Sequence, residues 1–254
     1  MADRLFVYDL DGTLMKSDFY MKPTHEACVL IMRTLGDHSP TLNEIKRRHN
    51  KLDRAMIYQK DPDTGRLYYY TKKRFPMSLV KIYEMLCEEA GVEPSLKIRN
   101  RLFKIGQTAF DQSRYIRKIK PEAFLSAKFH KEQGDVMIIL TKGDSRVQND
   151  KRTALGKAGL LKYFTDFVVV TDSKYKYFKL IRSRHPGMKC YSVGDTYSDD
   201  IRPAIKAGYT GIWIPSEGNW KEIGKIQRID RSRSKRKSRR FSHLMEIVER
   251  YHNI

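Results

Sequence analysis

Apolar positions follow two rhythms along this chain. Leu5-Phe6-Val7-Tyr8 is an unbroken apolar run that stops at Asp9, the pattern of a strand covered on both faces. Val136 to Thr141, Phe167 to Val170, Cys190 to Val193 and Thr210 to Ile214 read the same way. Between them, Ala123 to Glu132, Val147 to Ala158, Tyr175 to Arg184 and Ile201 to Ala207 carry apolar residues at helical spacing. Strands alternating with helices predict an α/β fold, a parallel sheet with helices on both faces. Right-handed crossovers then bring the carboxyl ends of the strands to one edge.

The second rhythm fills the gap after the first strand. Pro23 to Leu35 predicts a helix stopped at Gly36, and Thr41-Leu42-Asn43-Glu44 has the spacing of a capping box that opens a helix running to about residue 60. Asp61-Pro62-Asp63-Thr64-Gly65 reads as a turn, and Tyr68-Tyr69-Tyr70 as a short strand or an extended connector. Met77 to Ala90 predicts a third helix ending at Gly91, and a broken fourth starts at Glu93 or Pro94 and reaches Lys118. That is roughly 100 residues of helical pattern where a βα connection ordinarily takes about 2–6. The expected organisation is therefore an α/β core from residues 1–15 and 120–254 with a helical domain, 16–119, inserted. Arg228 to Arg240 is basic and serine-rich and predicts a surface loop, and Ser242 to Tyr251 a capped amphipathic helix docked on the core.

With 254 residues the chain can bury a real core. No apolar run approaches the roughly 18–20 residues needed to cross a membrane, so no membrane partner is expected. The first strand begins straight after Met-Ala-Asp-Arg without a leader pattern, and the expected address is cytoplasmic. Cys28, Cys87 and Cys190 are widely spaced in apolar stretches and read as free buried thiols. The net charge of +20 implies attraction to anions without choosing among nucleic acid, acidic membranes and phosphorylated metabolites.

The strand ends carry the chemistry. Asp9 and Asp11 close the first strand, Thr141 another, Lys174 follows Thr171-Asp172-Ser173, and Asp195 with Asp199 and Asp200 follows Val193-Gly194. Each alone is an ordinary turn former or helix cap. Together, on one edge of one sheet, they supply a nucleophile, an acid/base, an anion clamp and a site for a divalent cation.

Four segments resemble the motifs of the haloacid dehalogenase superfamily, in its aspartyl-phosphate branch: Tyr8-Asp9-Leu10-Asp11-Gly12-Thr13-Leu14, Ile138-Ile139-Leu140-Thr141 with Lys142-Gly143-Asp144, Lys174, and Val193-Gly194-Asp195-Thr196-Tyr197-Ser198-Asp199-Asp200-Ile201. The resemblance implies a Rossmann-like doubly wound core with a helical cap. It implies that Asp9 attacks phosphorus, and that Asp11 protonates the departing oxygen and later deprotonates water. Gly12, Thr13, Thr141, Lys142 and Lys174 would surround the phosphoryl group. Mg²⁺ would be held by Asp9, the Asp11 backbone carbonyl, Asp195 and Asp200, an all-oxygen set of the kind that ion prefers.

Two positions depart from the superfamily pattern. Lys174 lacks the proline that often follows it, so Lys176 competes for its place, and Asp199 competes with Asp200. The second carboxylate, Asp11, favours phosphate esters, because displacing halide needs no acid for the leaving group. The resemblance thus implies a phosphatase for a small phosphorylated metabolite, with specificity in the inserted helices. A phosphomutase shares the same motifs. A nucleic-acid end-processing phosphatase using the basic 228–240 segment is the other alternative, although that segment lacks aromatic residues to stack on bases. The oligomeric state is not legible.

Overall fold

The computed structural model describes residues 3–215 and 238–254. These divide into two compact units, Met1–Ser17 with Gln112–Ile254, and Asp18–Asp111. The strands are β1 (Arg4–Tyr8), β2 (Val136–Lys142), β3 (Asp166–Val170), β4 (Lys189–Gly194), β5 (Thr210–Trp213) and β6 (Ser238–Arg240). They form one sheet in the order β3-β2-β1-β4-β5-β6, with every neighbouring pair parallel. The chain leaves β1 for β2 on one side and later returns to β4 on the other. β1 therefore stands at the topological switch point, where open parallel sheets bind their ligands.

The continuous apolar run of β1 is explained by burial on both faces. Leu5 and Val7 pack with Ile138, Leu140, Phe178 and Ile181. Phe6 turns the other way, with its ring 4.8 Å from Tyr191 and 4.2 Å from His130. The register sets Tyr8 opposite both Ile139 and Val193, so the next residue on β1, Asp9, emerges beside the ends of β2 and β4.

The helical unit contains α1 (Met21–Leu35), α2 (Leu42–Met56), α3 (Arg74–Ala90) and α4 (Leu96–Gln107). Thr41 caps α2 by accepting from the Glu44 backbone N–H, as the capping-box spacing predicts. Ala27, Ile31, Ile45, Leu79, Ile82, Leu86 and Leu102 form one apolar core. Glycines follow α1 and α3 at the predicted positions, Gly36 and Gly91. Asp61–Gly65 is a turn closed by the Gly65 N–H on the Asp61 carbonyl at 2.8 Å.

The other unit adds α5 (Gln112–Ile116), α6 (Pro121–Glu132), α7 (Ser145–Lys157), α8 (Tyr175–Arg184), α9 (Arg202–Lys206) and α10 (Met245–Glu249). The unit boundary falls at 111/112, whereas helical periodicity alone puts it near 119/120. The cause is α5: buried Tyr115 and the Gln112 Nε2–Asp150 Oδ1 hydrogen bond, at 2.6 Å, tie it to α7.

The C-terminal stretch also differs from expectation. Of the basic segment 228–240, residues 228–237 lie outside the described residues. Ser238–Arg240 is not loop but strand, β6, joined to Gly211–Trp213 through its backbone, which explains why no apolar alternation announces it. The helix read over Ser242–Tyr251 shrinks to α10, because the Ser242 N–H and hydroxyl both bond the Glu246 carboxylate ahead of the helix. Its docking residues, Leu244, Ile247 and Tyr251, are buried. Among the described residues no helix is long and apolar enough to cross a membrane. All three cysteines are buried and free.

Candidate active site

Asp9 leaves β1 with its N–H on the Val193 carbonyl of β4 (2.8 Å), which fixes the carboxylate at the switch point. Lys174 starts the turn into α8 and reaches back to bond Asp9 Oδ1 at 2.6 Å and Asp200 Oδ1 at 2.7 Å. Asp200 sits in a π-helical turn, Tyr197–Ile201, that follows β4. Such turns are uncommon and recur at functional sites. Here the Asp200 Oδ2 accepts the Thr196 N–H at 3.0 Å, and Ser192 Oγ donates to the Asp200 carbonyl at 3.0 Å. Asp195 is held through its own carbonyl by the Trp213 indole N–H (2.9 Å), while its Oδ1 accepts from the Thr196 hydroxyl at 3.1 Å.

Asp9, Asp195 and Asp200 are all buried, and one oxygen from each lies within 4.8 Å of the others. Burial pushes the Asp9 carboxyl well above the ordinary carboxylate range; Lys174 opposes this, and Asp200 and Asp195 reinforce it. Burial works to strip the proton from Lys174, but Asp200 and Asp9 outweigh it, and the ammonium is held above the ordinary lysine range. Lys120 lies near the group and donates to the Gly12 carbonyl at 2.5 Å. Burial pulls it below the ordinary lysine value, against the attraction of Glu122, Asp195 and Asp9. Even with both lysines counted, three acids face two ammonium groups. A divalent cation fits this set on charge and on donor type, since all three side chains offer hard oxygen.

The hydroxyls tell the same story. Thr13 and Thr141 are almost wholly buried, and neither Oγ1 has a hydrogen-bond partner among the described atoms. A buried hydroxyl without a partner carries a desolvation cost of about 1–3 kcal/mol. Two such hydroxyls, on the turn after Asp9 and at the end of the neighbouring strand β2, are suited to a ligand rich in acceptor oxygens.

Gly12 is constrained by the acid cluster itself. Its φ is 86°, in the left-handed region, and a Cβ there would fall 2.2 Å from Asp195 Oδ2. Glycine is required because the Asp195 carboxylate packs against its α-carbon.

The competing residues separate cleanly. Lys174 is 3% exposed and bonds two of the three acids, while the Lys176 side chain is 62% exposed and pairs with Asp172. Asp200 belongs to the acid cluster, and Asp199 faces outward to Lys142, 3.6 Å away. The Asp11 side chain is not among the three clustered acids. It bonds instead to Lys151 and Gln148 of α7, two residues that motif reading missed. A signal was present: Val147, Lys151, Ala154 and Leu155 form the inward stripe of α7, and a lysine in an apolar stripe asks for a buried partner.

No protein-family model and no curated protein matches the chain. Solved structures do. A haloacid dehalogenase-like family hydrolase from Xanthomonas campestris superposes with a TM-score of 0.70 at 16% identity, over 99% of this chain and 91% of that one. A putative hydrolase of the same kind from Bacillus subtilis, bound to magnesium, gives 0.57 at 17%, over 100% of both chains. A phosphatase of this fold from Thermococcus onnurineus gives 0.53 at 18%, over 98% and 97%. An L-2-haloacid dehalogenase from Xanthobacter autotrophicus is similar as well, with 0.52 at 12% over 100% of both chains. The chain has the fold of the haloacid dehalogenase-like hydrolases.

Proposed function

We propose that this protein is a Mg²⁺-dependent phosphatase that hydrolyses a small phosphomonoester through an aspartyl-phosphate on Asp9. The observation that carries the reading is the nest itself: three buried carboxylates, two of them bonded to Lys174, together with the buried, unpartnered hydroxyls of Thr13 and Thr141. An acceptor-rich dianion that arrives with a divalent cation answers both the excess of acid and the orphaned donors.

Asp9 is the nucleophile because its backbone is held at the strand end by its N–H on Val193 and its carboxylate by Lys174 on Oδ1. Its Oδ–P bond forms as the ester P–O bond breaks, and the departing oxygen takes a proton from Asp11. In the second half, Asp11 takes a proton from the water that attacks phosphorus, the Asp9 Oδ–P bond breaks as the new O–P bond forms, and inorganic phosphate leaves with Asp9 restored as the carboxylate and Asp11 as the acid. Thr13 and Thr141 donate to phosphoryl oxygens, and Lys174 holds the negative charge spread over them. Asp9, Asp195 and Asp200 would hold Mg²⁺, which supplies charge neutralisation between an anionic nucleophile and an anionic phosphate.

Dehalogenases share the fold, and Asp11 separates the two chemistries. Carbon–halogen displacement releases a stable halide and needs no proton donor, whereas an alkoxide leaving group does. The decisive experiment offers the purified protein, with Mg²⁺, a broad phosphomonoester panel and, separately, 2-chloropropionate. Phosphate release with base-labile phosphorylation of Asp9, absent in Asp9→Asn, is expected. Chloride release without phosphate hydrolysis would overturn the reading.

A further inference from the structure

Asp11 follows the end of β1 in a tight turn, with the N–H groups of Leu14 and Met15 both on the Leu10 carbonyl at 3.0 Å. The turn fixes the backbone and leaves the side chain to be placed by its partners. Lys151 Nζ bonds Asp11 Oδ1 at 2.7 Å and Oδ2 at 2.6 Å, and Gln148 Nε2 donates to Oδ2 at 3.2 Å. The cation is the more deeply buried member: the Lys151 side chain is 6% exposed, against 28% for Asp11. Exposed surface pairs do not bury their lysine in this way.

The rest of the clasp is built for the same end. Gln148 is buried, and Gly143 makes room for it, since a Cβ there would lie 2.7 Å from Gln148 Nε2. Lys151 lies 5.8 Å from the centroid of the Tyr115 ring. Asp144 caps α7 by accepting from the N–H groups of Arg146 and Val147, which sets where Gln148 and Lys151 begin on the helix. One βα unit, β2–α7, thus delivers Thr141 to the phosphoryl site and the Gln148–Lys151 pair to Asp11.

We infer that Lys151, with Gln148, is a positioning residue that holds the Asp11 carboxylate in one orientation for its proton transfers. The inference rests on the reading of Asp11 as the acid and base of a phosphatase. Lys151 itself neither gives nor takes a proton: Asp11 passes one to the departing oxygen and recovers one from water. What the clasp contributes is placement, and misplacing a reacting group by about 1 Å costs on the order of 10²-fold in rate.

The test uses leaving-group dependence, which a merely structural lysine would not alter. The Mg²⁺-loaded protein is assayed on propyl phosphate, whose alkoxide must be protonated, and on 2,4-dinitrophenyl phosphate, whose phenolate leaves unaided. The readout is the ratio of the two kcat/KM values. Asp11→Asn is expected to lower this ratio by about 10²-fold or more, the usual scale of general acid catalysis. Lys151→Met should lower it about tenfold to 10²-fold, Gln148→Leu by less, and Lys151→Arg should recover most of it. Adding Lys151→Met to Asp11→Asn should change the ratio no further. If Lys151→Met slows both substrates equally, or leaves the ratio at the wild-type value while Asp11→Asn shifts it, the clasp has no positioning role. If Asp11→Asn itself leaves the ratio unchanged, the acid/base reading of Asp11 fails and the clasp falls with it. Should Lys151→Met fail to fold, Gln148→Leu carries the ratio test: an unchanged ratio there, with Asp11→Asn shifting it, would overturn the clasp.

Discussion

Both units bury charge, and they do so in opposite ways. In the helical unit cations offset the acids, and one cation, Lys73, serves both buried Asp61 and exposed Asp63. Arg74 bonds the Asp53 carboxylate at 2.6 Å and the Asp53 carbonyl at 2.7 Å, and Lys73 bonds both oxygens of Asp61 at 2.8 and 2.9 Å. At the sheet edge Asp9, Asp195 and Asp200 crowd within 4.8 Å of one another around Lys174. The paired arrangement serves folding; the crowded one works against folding and is tolerable where a ligand completes it. The same chemical change, Asp to Asn, therefore has opposite consequences in the two places.

The largest effect belongs to Asp9. Asp9→Asn should reduce phosphatase turnover by roughly 10⁴–10⁶-fold, the scale seen when a covalent nucleophile is removed. Without added divalent cation the same variant should melt no lower than wild type, because it relieves repulsion from Asp195 and Asp200. A clear fall in melting temperature, measured by calorimetry in EDTA, would break the comparison from the active-site side. Asp53→Asn should do the reverse, since it leaves the largely buried Arg74 without its carboxylate. A loss of about 3 kcal/mol is expected, read from urea unfolding followed by circular dichroism. A neutral Asp53→Asn would break the comparison from the helical side.

Next in size is the response to the cation. Adding MgCl₂ at about a hundred times its dissociation constant should stabilise the wild type by about 2.7 kcal/mol. Asp195→Asn should lose most of that gain, while Asp53→Asn should keep it. If Mg²⁺ raises the melting temperature equally in all three proteins, the crowded acids are not its site.

The same contrast explains what could be read from the chain. The strands and most helices were legible because a strand covered on both faces is continuously apolar and a docked helix is periodic. β6 escaped because Ser238–Arg240 joins the sheet through its backbone and offers no side-chain pattern. At the edge, Asp9, Thr141, Lys174 and Asp195 were legible as residues that end strands in order. Sequence could not decide between Asp199 and Asp200. That choice follows from the π-helical turn, which buries Asp200 and leaves Asp199 outside. Lys151 and Gln148 were hidden for a further reason: their partner Asp11 lies about 140 positions earlier in the chain, and only the β1–β2 pairing brings them together.

The smallest effect sharpens the comparison within the helical unit, where one buried titratable group has no opposite charge bonded to it. His49 bonds the Ser78 oxygen through Nε2 at 2.9 Å. Ser78 spends its own proton on the Phe75 carbonyl at 2.8 Å, so Nε2 must be the protonated nitrogen and Nδ1, which has no partner, the bare one. Burial pushes the imidazole down to about 4, with Asp53 opposing and Arg74 adding to the fall. The unfolded chain therefore takes up a proton near the ordinary histidine value while the folded one does not. The stability carried by neutral His49 is complete above about pH 6.5 and is lost as pH falls toward 4. By pH 5 the loss should reach about 2 kcal/mol, at 1.36 kcal/mol per pH unit. Acid also reaches the carboxylates, so the measurement is a difference: urea unfolding at pH 7 and pH 5 for the wild type and for His49→Gln. The variant should show a pH dependence shallower by that amount. Equal slopes would mean that His49 takes up its proton in the folded protein as it does in the unfolded one, and that the helical unit then buries a cation with no carboxylate bonded to it.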